Sequence, residues 1–197
     1  MSSALSPPPT FPEGNCNLFV AGEYGLPVVI IILLCALYAT KKISTATFGI
    51  YWVGVALGCV WEYAHAFLKD FIVVNPCISV YMPEKTVYPM VHALHDGMLF
   101  LLAYLLCLAV FGRDKFKEYG FAITCFLVAI LVGQEILVEM AFNGRYWRYV
   151  TSRANPVLFT WGADKKVVNL VPVLEWCLAS MIFAAIMLAL HQKYGTR

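Results

Sequence analysis

Five apolar runs, at about 24–40, 45–68, 88–111, 119–141 and 168–190, dominate this chain. Crossing a bilayer takes roughly 20 apolar residues at about 1.5 Å of helical rise each. Four runs reach that length, and the first can extend back through Leu18-Phe19-Val20-Ala21. The expectation is an all-α polytopic membrane protein, a bundle of about five transmembrane helices. It would form one helical domain over 24–197 behind a Pro-rich tail at 1–23. Composition agrees. Of 197 residues, 61% are hydrophobic and 13% are charged, about half the charged share of a soluble domain. Mean hydropathy is +0.73. These values exclude a disordered chain, a secreted disulfide scaffold and an ordinary cytosolic enzyme. A net charge of +2, with no basic patch, gives nucleic acid no footprint.

The connections set the orientation. The short polar loops carry Lys41, Lys42, Arg113, Lys115 and Lys117, joined on that side by Lys193 and Arg197. The two longer loops, about 69–87 and 142–167, and their flanks carry Lys69, Lys85, Arg145, Arg148, Arg153, Lys165 and Lys166. The count ties, but the short-loop cluster is denser, which points to an N-terminus outside or lumenal and a cytosolic C-terminus. The opening MSSALSPPPTFPEGN has neither the cations nor the early apolar core of a secretory signal. Five cysteines, Cys35, Cys59, Cys107, Cys125 and Cys177, sit inside apolar runs and read as small buried hydrophobes. Cys16 and Cys77 lie outside the runs and could pair if both face an oxidising lumen.

Ionisable groups inside a bilayer cost about 2.5–3.5 kcal/mol each near its centre, so their presence needs a reason. The second run holds Glu62 and His65, the third His92, His95 and Asp96, the fourth Glu135 and Glu139, and the fifth Asn169 and Glu175. Consecutive spans run antiparallel. The polar groups fall late, early, late and early in successive runs, so all nine lie in the half of the membrane capped by the long loops. Spacings of three and four residues put Glu62 with His65, His92 with His95 and Asp96, and Glu135 with Glu139 on one helix face each. The inference is one polar chamber under a loop lid, with 142–167 and its Asn143-Gly144-Arg145-Tyr146-Trp147 segment as the lid. Trp61, Tyr63, Tyr88, Phe100 and Trp176 adjoin the acids. They read either as interface anchors or as π faces able to steady a cation.

Three chemistries fit such a chamber. In the first, a carboxylic acid taken out of water keeps its proton at neutral pH. It can then protonate an alkene or epoxide, and a second carboxylate or imidazole removes a proton to finish. Glu62, His65, Glu135 and Glu175 would be the catalytic set. Trp61, His92, His95, Asp96, Glu139, Asn169 and Trp176 would bind substrate, with no cofactor required. In the second, Glu62-x-x-His65 has the Glu-x-x-His spacing of bundle di-iron proteins. Glu62, His65, His92, His95 and Glu135 would then hold iron or another transition metal for lipid oxidation. The third is non-catalytic: a proton or lipid path, or an accessory subunit of a larger complex. No G-x-S-x-G, P-loop or dinucleotide fingerprint occurs.

The stretch TFGIYWVGVALGCVWEYAHAF, with the basic Lys41-Lys42 before it, resembles one family. It is similar to the small integral membrane terpene cyclases of fungal meroterpenoid and indole-diterpene pathways. The shared features are the short basic loop after the first helix, the aromatic-Gly pair Phe48-Gly49, and a helix ending in Trp61-Glu62. The resemblance covers the first two helices and implies that Glu62 is the acid that starts cyclisation. That family has seven spans and a second functional acid near the end of its last helix, where this chain offers Glu175. In residue types the chain also resembles sterol isomerases with a His/Glu-lined membrane pocket and a late Trp. What the resemblance implies is a lipophilic isoprenoid or sterol-like substrate among membrane lipids, cyclised or isomerised in the endoplasmic reticulum membrane.

Overall fold

The structure is a computed structural model that describes residues 16–68, 71–116, 118–163 and 165–194. Five long helices form the bundle: α1 (Cys16–Ala39), α2 (Thr45–Phe67), α4 (Val87–Phe111), α5 (Gly120–Phe142) and α6 (Leu170–Tyr194). A one-turn helix α3 (Pro76–Ser79) lies in the loop between α2 and α4. Among the described residues, four helices are long and apolar enough to cross a membrane: α1, α4, α5 and α6. The chain therefore fits an all-α, membrane-embedded bundle. Helix α2 is as long as α5, at 23 residues, but glycines, aromatics, Glu62 and His65 dilute its apolar character. It lies inside the bundle, packed along α4 and α6.

The first helix begins at Cys16, so 16–23, assigned to the tail from sequence, are its first two turns; residues 1–15 lie outside the described ones. The other long helices start and stop within a few residues of the expected runs. Local chemistry sets these ends. Ser44 caps α2 by accepting from the Thr47 N–H at 3.1 Å, and Gly112, at φ 76°, ends α4. Helices α2 and α4 approach closely through Gly54, Gly58 and Gly97, where an added Cβ would meet backbone or side-chain atoms of the other helix within 3.0 Å. Small residues four apart allow this contact. The main core lies beside it, with Ile50, Tyr51, Phe100, Tyr104, Phe183 and Met187 among its buried side chains.

The two long loops are not free strings. Strand β1 (Ile72–Val74) pairs antiparallel with β2 (Trp147–Tyr149), so the loops join as one cover. Strands β3 (Val157–Trp161) and β4 (Lys166–Asn169) form a hairpin in the second loop. Asn75 fastens the cover: its N–H donates to Tyr146 O at 2.8 Å and its side-chain amide to Arg145 O at 3.0 Å. Phe19 of α1 stacks on Tyr146 with ring centroids 3.9 Å apart. Cys16 and Cys77 form a disulfide, Cα to Cα 6.2 Å, tying the start of α1 to α3. Under denaturing, non-reducing conditions, alkylation should modify five cysteines per chain, and seven after reduction. Seven modified before reduction would remove the bridge.

Candidate functional site

A cavity of about 210 Å³ lies under this cover, in the half of the bundle where α1, α4 and α6 begin and α2 and α5 end. Ten of the eleven sequence-derived site residues line it: Trp61, Glu62 and His65 on α2, His92, His95 and Asp96 on α4, Glu135 and Glu139 on α5, and Glu175 and Trp176 on α6. The eleventh, Asn169, does not. It ends β4, is fully buried, and its amide donates to Thr151 Oγ1 and Asn155 O, both at 3.2 Å. Asn169 therefore ties the cover to itself. Sequence reasoning missed Glu23, Gln134 and Tyr149, which also line the cavity, as does Tyr88, one of the aromatics expected beside the acids. Trp147 lines it too, from the segment expected to form the lid.

Glu23 has a local explanation. Pro27 sits inside α1 and has no N–H, so the carbonyl four residues earlier, that of Glu23, loses its helical donor. His95 Nε2 takes that place, 3.1 Å from the Glu23 carbonyl, and so carries the proton on that nitrogen. The Glu23 carboxylate stands 3.4 Å from the same atom and 3.6 Å from His92 Nε2. An acid four residues before a proline, at the start of an apolar run, was the signal available in the sequence.

The other pairings divide the cavity by role. His65 Nε2 and Glu175 Oε2 are 2.8 Å apart, with the imidazole stacked on Phe71 at 4.7 Å. Glu139 is 1% exposed. Its two oxygens accept from Asn143 Nδ2 at 2.7 Å and Trp147 Nε1 at 3.1 Å, so it holds the cover to the end of α5. Glu62, Asp96 and Glu135 line the cavity without an ion pair to any described residue. Asp96 is 6% exposed, and its Oδ2, like Gln134 Nε2, His92 Nε2 and His65 Nδ1, has no hydrogen-bond partner among the described residues. Among the described residues, the wall thus carries six carboxylates and three imidazoles, and no Lys or Arg. Above it, burial pushes the Tyr149 phenol well above its ordinary value, and the Glu139, Glu135 and Glu62 carboxylates add to the shift.

Aromatic rings supply the apolar floor. Trp61 and Trp176 lie 5.5 Å apart, and Trp176 stacks on Phe100 at 5.4 Å. Glu62, His65, His92, His95 and Glu135, the set considered for a metal, share the cavity. Among the described residues, no three of His, Cys, Asp or Glu gather in a group that could hold an ion. Comparison with family models, with curated proteins and with solved structures finds no match in any of the three.

Gly58 makes room for this site: a Cβ there would stand 2.5 Å from Asp96 Oδ2 and 3.0 Å from the Ala93 Cα. Gly58→Ala should cost about 1–3 kcal/mol of stability, as overpacking does, in detergent unfolding. Gly49→Ala, with nothing within 4 Å, should be neutral or stabilising. Equal stability in both variants would mean that α2 and α4 do not meet at Asp96.

Proposed function

We propose that the chain is an integral membrane enzyme acting on a lipophilic isoprenoid or sterol-like molecule by protonation-initiated cyclisation or isomerisation. The observation that carries this reading is the cavity wall: three carboxyl groups without a cationic partner among the described residues, beside a His–Glu pair and two tryptophan faces, between helices long and apolar enough to cross a membrane. Glu62 is the acid. It adds a proton to an alkene or epoxide of the substrate and is left as a carboxylate. The cationic carbon rests against Trp61 and Trp176, whose ring faces attract positive charge. His65, oriented by Glu175, takes a proton from a neighbouring carbon and a double bond forms. One proton enters and one leaves, so no oxidant or reductant is consumed. The cover excludes water, which would quench the cation. Glu135 lies across the cavity as a second carboxyl group able to return the proton.

The Cys16–Cys77 bridge supports a placement for the cover, because disulfides persist in oxidising compartments. With the denser basic loops on the other face, the cover faces a lumen, and the endoplasmic reticulum is the proposed membrane.

The test is turnover in membranes expressing the chain, supplied with epoxy-isoprenoids and unsaturated sterols in deuterated water. Product should carry one solvent deuteron at the protonated carbon. Glu62→Gln should lower the rate about 10²–10⁴-fold, the usual worth of a general acid, with an unchanged unfolding midpoint. Full turnover in Glu62→Gln removes the acid role. Stoichiometric iron in active protein, by plasma mass spectrometry, would replace this reading with the metal one. Co-purification of a partner without turnover would replace it with the accessory-subunit one.

A further inference from the structure

A second hollow, of about 760 Å³, opens at the end of the bundle away from the chamber. Lys41 and Lys42, which follow α1, and Arg113, which follows α4, converge on it beside the start of α2. Among the described residues, no carboxylate lines it. Three cations around one hollow give it a positive potential that favours an anion.

The backbone is built to hold these cations. Lys42 N–H donates to Leu37 O at 2.8 Å and Lys41 N–H to Tyr38 O at 3.0 Å, a helix end whose left-handed residue is usually glycine. Lys41 occupies that position at φ 57°, against the preference of an L side chain. Arg113 is held through its carbonyl, which accepts from Nε2 of the buried His191 at 3.1 Å, while His191 Nδ1 lies 3.0 Å from the Tyr104 hydroxyl. Helix α2, 23 residues long, starts here, and the N–H groups of its first turn add positive potential.

The floor is apolar. Leu105 and Leu108 of α4 line it, and Leu105 is 44% exposed. It lies on the outer flank of a helix apolar enough to cross a membrane. The hollow therefore joins a cationic rim to a hydrocarbon-facing surface. An inorganic anion would use only the rim; an amphiphile uses both. We propose that this hollow binds the phosphate headgroup of an anionic phospholipid, with an acyl chain lying against Leu105 and Leu108. The Cys16–Cys77 bridge lies at the opposite end; on the lumenal placement of the cover proposed above, the hollow lies in the cytosolic leaflet, where anionic lipids concentrate.

Native mass spectrometry of the full chain tests this. The protein is released from bilayers of phosphatidylcholine alone, or of phosphatidylcholine with phosphatidylserine, and from detergent with inorganic phosphate. The parent should retain about one phosphatidylserine. Each cation should contribute about fivefold in affinity, so the Lys41→Gln/Lys42→Gln/Arg113→Gln variant should bind about a hundredfold more weakly. Lys41→Gly relieves the backbone while removing one charge. It should fold at least as stably as the parent and bind about fivefold more weakly, which keeps the test alive if the triple variant does not fold. Phosphatidylserine held equally by parent and variants, phosphatidylcholine held as tightly, or inorganic phosphate bound where no lipid is retained, would each overturn the proposal.

Discussion

The approach of α2 and α4 at three glycines is the constraint on which the site depends. Gly54, Gly58 and Gly97 let the two backbones meet with almost no side chain between them. At and just beyond that contact, α2 presents Trp61, Glu62 and His65, and α4 presents Asp96, His95 and His92 to the same cavity. A larger residue at Gly58 would displace the Asp96 carboxyl itself. With this pair fixed, α6 packs on α2 and α5 on both α4 and α6, bringing Glu175, Glu135 and Glu139 to one depth.

Placing so much acid in an apolar bundle is costly, and the structure offsets it unevenly. Glu175 has His65, Glu23 has two imidazoles, and Glu139 has two neutral donors from the cover. Glu62, Asp96 and Glu135 have no ion pair among the described residues. Groups that fold stability alone would not retain are where chemistry is sought. Pro27 shows how a local defect is put to use. The donor it removes from α1 is replaced by His95, and that bond joins the outermost helix to the cavity wall.

Much of this was legible in the sequence, because the bilayer leaves few alternatives. A 20-residue apolar run has one reading, and alternation of direction turns the positions of polar residues along their runs into a common depth. Other features were hidden for physical reasons. Glu23 fell outside its run because the run was begun at 24, where unbroken apolarity starts, although the helix begins at Cys16. Asn169 was read as helical because the apolar pattern runs through β4 into α6 without a break. The pairing of Ile72 with Tyr149 joins loops that are remote in the chain, and no local pattern encodes such a contact. Cys16 and Cys77 were recognisable as the two cysteines outside the runs. Their union needed the start of α1 and the helix α3 to lie on the same face.

The account holds that side chains from five helices form one chamber around a lipophilic molecule beneath the paired loops. The most direct test is photo-crosslinking with a diazirine-bearing isoprenoid or sterol-like probe in membranes, with labelled residues mapped by mass spectrometry. The account predicts labels on the segments containing Trp61, Glu135 and Trp176 together, suppressed by excess unlabelled probe. Labels confined to outward side chains such as Ile32, Val60 and Leu178, 64%, 70% and 61% exposed, with no suppression by excess probe, would contradict it.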